Sequence, residues 1–291
     1  MSVALVNLEA TPGNIALIVF HMCLATCCTL SNLLLLMALL GSAALLRRNN
    51  HLYTLSITVS ELMVGAGWFY IALYDENDTF GPLYSPRNVH TTVHGISLIT
   101  VLASMIDRYL CVKYPFKYSQ KMTRIKAVAI IAITWLGPIA TVVLKIIFPN
   151  KKEKTFQGYI TILFSVIMLG VMVILNVRLY LICRMQQNRQ HQDSSTPQKQ
   201  SAQLIVLASM IFITLWTPGI VYVCICYGFE ICSSFLEGST NAVVVIRMFN
   251  AITTPLIFLF GSPMTRASLM NVFTFLKIRR SQVQPTSLDQ T

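Results

Sequence analysis

The sequence predicts an all-α membrane protein, a seven-transmembrane helix bundle with a short amphipathic eighth helix, and three observations carry that reading. Of 291 residues, 55% are apolar and only 11% charged, whereas an ordinary soluble domain carries roughly 25% charged residues. Mean hydropathy is +0.63, which excludes a disordered chain, since those are rich in charge and poor in apolar residues. The third observation is the number of apolar runs as long as the ~20 residues that a helix needs to cross a hydrocarbon core. Seven are found, close to Ile15 to Leu46, Leu52 to Tyr74, Arg87 to Val112, Ile125 to Phe148, Gly158 to Cys183, Ala202 to Tyr227 and Thr240 to Phe260. Strands of a membrane barrel would instead alternate over about ten residues.

The first run is preceded by fourteen residues without a basic segment, so it is expected to be a permanent span and not a cleaved leader. The formal charge of +11 follows topology. Its basic residues lie scattered in short loops and form no continuous face for nucleic acid. With the N-terminus outside, 16 of the 22 lysines and arginines fall on the inner side and seven of the eleven acids on the outer side, as the positive-inside rule favours. Asn77-Asp78-Thr79 is a glycosylation acceptor in the first outer loop and agrees with this orientation.

The polar stretch Arg184 to Gln200 reads as a mobile inner linker. Residues 263–278 place Met264, Ala267, Leu269, Met270, Phe273 and Leu276 among basic residues, the pattern of a helix lying on the membrane surface. The expected organisation is therefore an outer N-terminus (1–14), the seven spans (15–260), the surface helix (261–278) and a disordered cytosolic tail (279–291).

Polar side chains inside apolar runs are expensive and mark the bundle interior. Arg87, His90, His94, Ser97, Ser104 and Arg108 recur at helical spacing on the third run, so they share one face. Thr54, Thr58, Glu61, Gly65 and Trp68 repeat the pattern on the second, and Arg247, Asn250 and Thr254 on the seventh. Three inward stripes suit either a ligand cavity above a switching network or an ion or substrate pathway, and periodicity does not choose between a receptor and a transporter. No repeated half and no pair of Gly/Pro-broken helices supports the transporter. His90 and His94 stand at i, i+4, but no third ligand accompanies them, so a metal is not expected. No hydrolase or protease motif is present, and neither catalysis nor a cofactor is expected.

Local motifs choose. Asp107-Arg108-Tyr109 closes the third run, Trp135 lies in the fourth, Phe212 to Pro218 includes Trp216-Thr217-Pro218 in the sixth, and Thr254-Pro255-Leu256-Ile257-Phe258 ends the seventh. In these residues and their spacing the chain resembles a rhodopsin-like (class A) G-protein-coupled receptor over nearly its whole length. The resemblance implies a plasma-membrane signal transducer that binds an extracellular ligand and activates heterotrimeric G proteins. Asp107, Arg108 and Tyr109 would then form the inner-end ionic element, with Arg108 held while inactive and released toward the G protein. Trp216 would be the rotamer switch beneath the ligand cavity, with Phe212 beside it and Pro218 removing a backbone donor. Asn32 matches the family's first-helix asparagine, whose amide ties helices together. By the same resemblance the ligand cavity is lined by Arg87, His90, His94, Trp216, Tyr222 and Arg247.

Departures from the family pattern are informative too. Glu61 replaces the usual aspartate, with Ser97 and Asn250 expected nearby, while Thr254 and Phe258 replace the asparagine and tyrosine of Asn-Pro-x-x-Tyr. Met168 and Asn176 stand for the fifth helix's proline and tyrosine, so the hydroxyls of the usual water-linked relay are missing. Leu83 stands where the family cysteine is expected, and the second outer loop has none. Cys226 and Cys232 can form a clip in the third outer loop or remain thiols, because Cα separation is not encoded in spacing.

His90 occupies the place of the amine-binding aspartate, which disfavours a biogenic amine. A guanidinium inside a span costs at least about 2.5 to 3.5 kcal/mol unless it is paired. Arg247 is therefore expected either to lock onto Glu61 or to meet an anionic ligand. An anionic small molecule or lipid leads as the ligand class, with a peptide second. Ser194, Ser195 and Thr196 in the third inner loop, with Ser281, Thr286, Ser287 and Thr291 in the tail, are candidate phosphorylation sites for arrestin, as in the family.

Overall fold

A bilayer offers no partner for a backbone N–H or C=O, so spanning segments close their hydrogen bonds internally and the apolar runs become helices. The computed structural model describes residues 12–73, 86–147, 153–189, 206–221 and 242–283. The side chains of Arg87, His90 and Arg247 are outside this set, as are Leu83, Asn77, Tyr222, the Cys226 and Cys232 pair, and all the candidate phosphorylation sites except the backbone of Ser281.

Helix α1 is Pro12–Leu40, α2 Ala43–Leu46, α3 Asn49–Leu73, α4 Pro86–Lys113 and α5 Pro115–Lys121. Helix α6 is Arg124–Ile147, α7 Glu153–Arg189, α8 Val206–Val221, α9 Ala242–Gly261 and α10 Pro263–Val283. The seven expected runs correspond to α1, α3, α4, α6, α7, α8 and α9. Three of these, within α1, α4 and α7, are apolar enough by themselves to cross a membrane, and the α5–α6 and α9–α10 pairs qualify as bent units. Helix α3 falls short because its inward stripe is polar, a property of position in the bundle and not of exposure to water.

Three boundaries differ from expectation. The first run does not continue to Leu46: α1 stops at Leu40, Gly41 turns, Ser42 is extended (φ −131°, ψ 108°), and α2 begins a new short helix. A Cβ on Gly41 would collide with Val272 Cγ2 of α10, so the chain narrows there to let the surface helix pack. The inner linker starts later than Arg184, because α7 stays helical to Arg189. The surface helix continues past Ile278 to Val283, and it leaves α9 at a 90° bend.

Four apolar clusters hold the helices. Leu24, Ala25, Cys28, Val64, Trp68, Val93, Met248 and Ala251 join α1, α3, α4 and α9. Ile57, Leu98, Val101, Met105, Met172, Phe212 and Trp216 join α3 and α4 to α7 and α8. Leu35, Ala38, Leu39, Leu45 and Leu259 close the end beside α10, and Leu52, Tyr53 and Ala127 seat α6 on α3. Helix α6 turns Ile125, Val128, Ile133, Leu136, Ile139, Val143 and Ile147 outward, the composition of a helix at the lipid boundary.

Candidate functional site

The two polar stripes of α3 and α4 point inward. Thr54, Thr58, Glu61 and Trp68 of α3 are buried, as are His94, Ser97 and Ser104 of α4 and Asn250 and Thr254 of α9. Burial requires partners, and the serines and threonines supply them. The hydroxyls of Ser60 and Ser97 meet at 2.7 Å between α3 and α4, and those of Thr100 and Thr134 at 3.1 Å between α4 and α6. Trp135 donates its indole N–H to Ser56 Oγ at 2.8 Å, tying α6 to α3.

Glu61 is 1% exposed, and its Oε2 has no hydrogen-bond partner among the described residues. Asn250 is as deeply buried on α9, although no bond between it and Glu61 is drawn among the described side chains. Asn32 extends one amide to two helices. Its Nδ2 donates to Cys28 O within α1 and to Ala251 O of α9, both at 2.9 Å.

Higher in the bundle, Trp216 is buried and stacked on Phe212, with centroids 5.6 Å apart and planes at 23°. The His94 ring meets Trp216 edge-on at 6.2 Å and 79°. His94 therefore touches the indole directly, so a group that displaces this imidazole also bears on Trp216. Pro218 lies two residues along in α8. A second aromatic pair, His21 with Trp68, has ring centroids 5.4 Å apart between α1 and α3. His21 escaped the sequence reading because it stands alone in its run, with no polar neighbour at helical spacing.

Below Phe212 a cavity of about 20 Å³ is bounded by Ile57, Ser104, Ser209, Thr254 and Phe258 among others, room for one water. Asn176 is buried on α7, and Ser209 donates to its Oδ1 at 3.1 Å. Asn176, in the place expected for the family's tyrosine, thus forms a different polar joint, between α7 and α8.

The triplet Asp107-Arg108-Tyr109 lies in the last two turns of α4. Asp107 is buried, and its Oδ1 accepts a hydrogen bond from the Tyr118 hydroxyl at 2.8 Å, while its Oδ2 has no hydrogen-bond partner among the described residues. No Asp107–Arg108 ion pair is formed among the described residues, and Arg108 Nε has no hydrogen-bond partner there either. Asp107 is turned toward Tyr118 of α5, which takes one carboxylate oxygen, while the neighbouring Arg108 interacts with the carboxylate through its charge alone. Burial and the Asp107 carboxylate push the Tyr118 phenol above its ordinary pKa, so it stays protonated and donates. The Tyr109 hydroxyl accepts from Lys113 Nζ at 2.8 Å at the rim.

Tyr118, Ser56, Ser60, Thr100 and Thr134 were not singled out from the sequence. Ser56 and Ser60 lie four residues apart, a signal for a second polar face of α3 that was available. Nothing local to Tyr118 points to Asp107, eleven residues earlier.

This architecture was compared with known proteins. The family described as "7 transmembrane receptor (rhodopsin family)" matches residues 31–258. Melanocortin receptor 5 of Pan troglodytes is 25% identical over 269 residues, covering 84% of this chain and 82% of the relative. Melanocortin receptor 3 of Homo sapiens is 27% identical over 185 residues, with 57% and 54% covered. Melanocortin receptor 4 of Danio rerio is 25% identical, with 60% and 56% covered. The family match takes in every described span apart from residues 12–30 of α1 and 259–261 of α9, and the chain belongs to the rhodopsin family of seven-transmembrane receptors, which are not enzymes.

Proposed function

We propose that this receptor sits in the plasma membrane with its N-terminus outside, binds an extracellular ligand, and activates heterotrimeric G proteins by a population shift toward a conformer with splayed inner ends. The observation that supports the reading most is the line of contacts running down the bundle. His94 abuts Trp216, Trp216 stacks on Phe212, and Phe212 borders the small cavity beside Phe258. Each is a packed two-body contact through which an upper-cavity ligand can bias the inner end. Asp107, Arg108 and Tyr109 are the G-protein switch, and Tyr118 is the brace on Asp107. Arrestin is the expected partner of a phosphorylated inner loop and tail.

Arg108→Ala tests the switch. G-protein activation in cells is expected to fall to background while surface expression stays near wild type, and loss of both together overturns the assignment in favour of a structural anchor. Substrate flux insensitive to blockade of G proteins would instead identify a transporter.

For the ligand, an anionic small molecule or lipid remains the first reading, carried by Arg87, His90 and Arg247 in the sequence. The peptide alternative gains from the relatives, whose names give melanocortin as their ligand. An activation panel of acidic metabolites, lysolipids and melanocortins separates the two. With an acidic agonist, Arg247→Gln is expected to reduce potency at least about tenfold. Rescue of a misfolded Glu61→Gln receptor by Arg247→Gln would show that Arg247 serves Glu61 and not the ligand.

A further inference from the structure

Helices α5 and α6 meet at 82°, and the angle opens a cavity of about 400 Å³ at the basic end of the bundle. Lys117 and Lys121, one turn apart on α5, and Lys126 of α6 line it together with Leu110, Met122 and Ile130, and no acid lines it among the described residues. All three lysines are exposed, so each charge can reach an incoming group. One is held in place: Lys126 Nζ donates to Lys121 O at 2.9 Å, so the second lysine of α5 and the first turn of α6 are fixed to each other. Tyr118, on the same wall, has its hydroxyl committed to Asp107.

The surroundings are apolar on the side facing away from the bundle. Phe116 and Ile125, which flank the lysines in sequence, are 84% and 81% exposed, and the outward row of α6 continues from there through Val128 and Ile133. A cluster of cations at the mouth and a hydrocarbon-compatible track beside it match one kind of molecule, with an anionic head and acyl tails. A free phosphate would use the cations and leave the apolar track without a purpose. Basic pockets at the inner surface of membrane proteins are the sites where polyphosphorylated headgroups are held, each nearby lysine adding to the attraction.

We propose that this cavity binds the phosphorylated headgroup of an anionic phospholipid in the adjacent leaflet, through Lys117, Lys121 and Lys126, with the acyl chains lying along α6. The proposal depends on the orientation given above only for which leaflet supplies the lipid. The test is independent of it, because a nanodisc presents the same lipids on both faces.

The full chain is reconstituted in phosphatidylcholine nanodiscs with a small fraction of phosphatidylinositol bisphosphate, and retained lipid is counted by native mass spectrometry. The wild type is expected to hold the phosphoinositide in preference to phosphatidylcholine. Replacing Lys117, Lys121 and Lys126 together by Gln should lower its retention at least about tenfold, and Gln at Arg47, Arg48 and Arg266 should leave it within about twofold. Met122→Trp, which keeps every charge and fills the cavity, should lose retention as well and guards against a folding defect in the triple variant. Undiminished retention in the triple variant, or an equal loss in the arginine control, overturns the site. Soluble inositol trisphosphate binding as tightly as the lipid would reassign it to free phosphate. Undiminished retention with loss of G-protein activation would hand the face to a protein partner.

Discussion

The α3–α4 pair and α7 bury themselves by opposite means. Helix α3 hides Ser56, Thr58, Ser60 and Glu61, and α4 hides His94, Ser97, Thr100, Ser104 and Asp107. Helix α7, the longest of all at 37 residues, buries Met168, Met172, Asn176 and Leu179 in a single row, and exposes Leu163, Phe164, Ile167, Ile174, Val177 and Leu181. Inside a bilayer an apolar contact between helices replaces an equally apolar contact with lipid, so hydrophobicity does little to choose neighbours. Hydrogen bonds and close backbone approach do the choosing. The central pair carries many such devices, and the buried one on α7 among the described residues is Asn176 with Ser209. Position in the middle of the bundle is thus encoded in hydroxyls and small residues, and position at its edge in the lack of them.

The sharpest way to break this contrast is at Gly65. A Cβ there would lie 2.8 Å from Thr29 Oγ1 and 3.1 Å from Thr29 N, and the backbone nitrogen has nowhere to go. Gly65→Leu is expected to destabilise by about 3 kcal/mol or more, seen as lost surface expression and a lower Tm of purified receptor. Asn32→Ala removes two amide bonds, one of them between helices, and should cost about 1 to 2 kcal/mol in the same thermal assay. At the α7–α8 joint, Ser209→Ala, which removes the bond to Asn176, should cost only about 0.6 kcal/mol. Ile174→Ala, at a site 57% exposed to the surroundings, should stay within about 0.5 kcal/mol. If Ile174→Ala proves as damaging as Asn32→Ala, α7 has a buried partner and the contrast fails.

Much of this contrast is legible in the sequence. The stripes Thr54, Thr58 and Glu61, and His94, Ser97 and Ser104, are periodic, and period alone assigns them inward. Asn32 stood out through its motif, and its reach to Ala251 follows the expectation for such an amide. The Gly41 break was not legible, because strongly apolar sequence continues on both sides of Gly41-Ser42 and the cause, Val272, arrives more than two hundred residues later. The Tyr118 brace on Asp107 was hidden for a related reason. The triplet suggests an ion pair, yet the direction of a side chain depends on which helix packs against it. Ser56 and Ser60 were missed because α3 is buried on more than one side, whereas the reading sought a single polar face.

The ties of α1 have a bearing on how the chain is made. Asn32 reaches Ala251 across 219 residues, and Ser268 donates to Ala38 O across 230, at 2.6 Å. Helix α1 therefore has one neighbour close in sequence, α3, which it meets through His21 with Trp68 and Cys28 Sγ on Glu61 O, and two distant ones, α9 and α10, synthesised later. In the interval Asn32 has only Cys28 O and Cys28 Sγ of its own helix as partners, and its remaining hydrogen faces lipid or a temporary companion. A nascent chain that stops before α9 carries that unspent donor as a mark of incompleteness. The same long closure makes assembly slow compared with that of a bundle of local contacts.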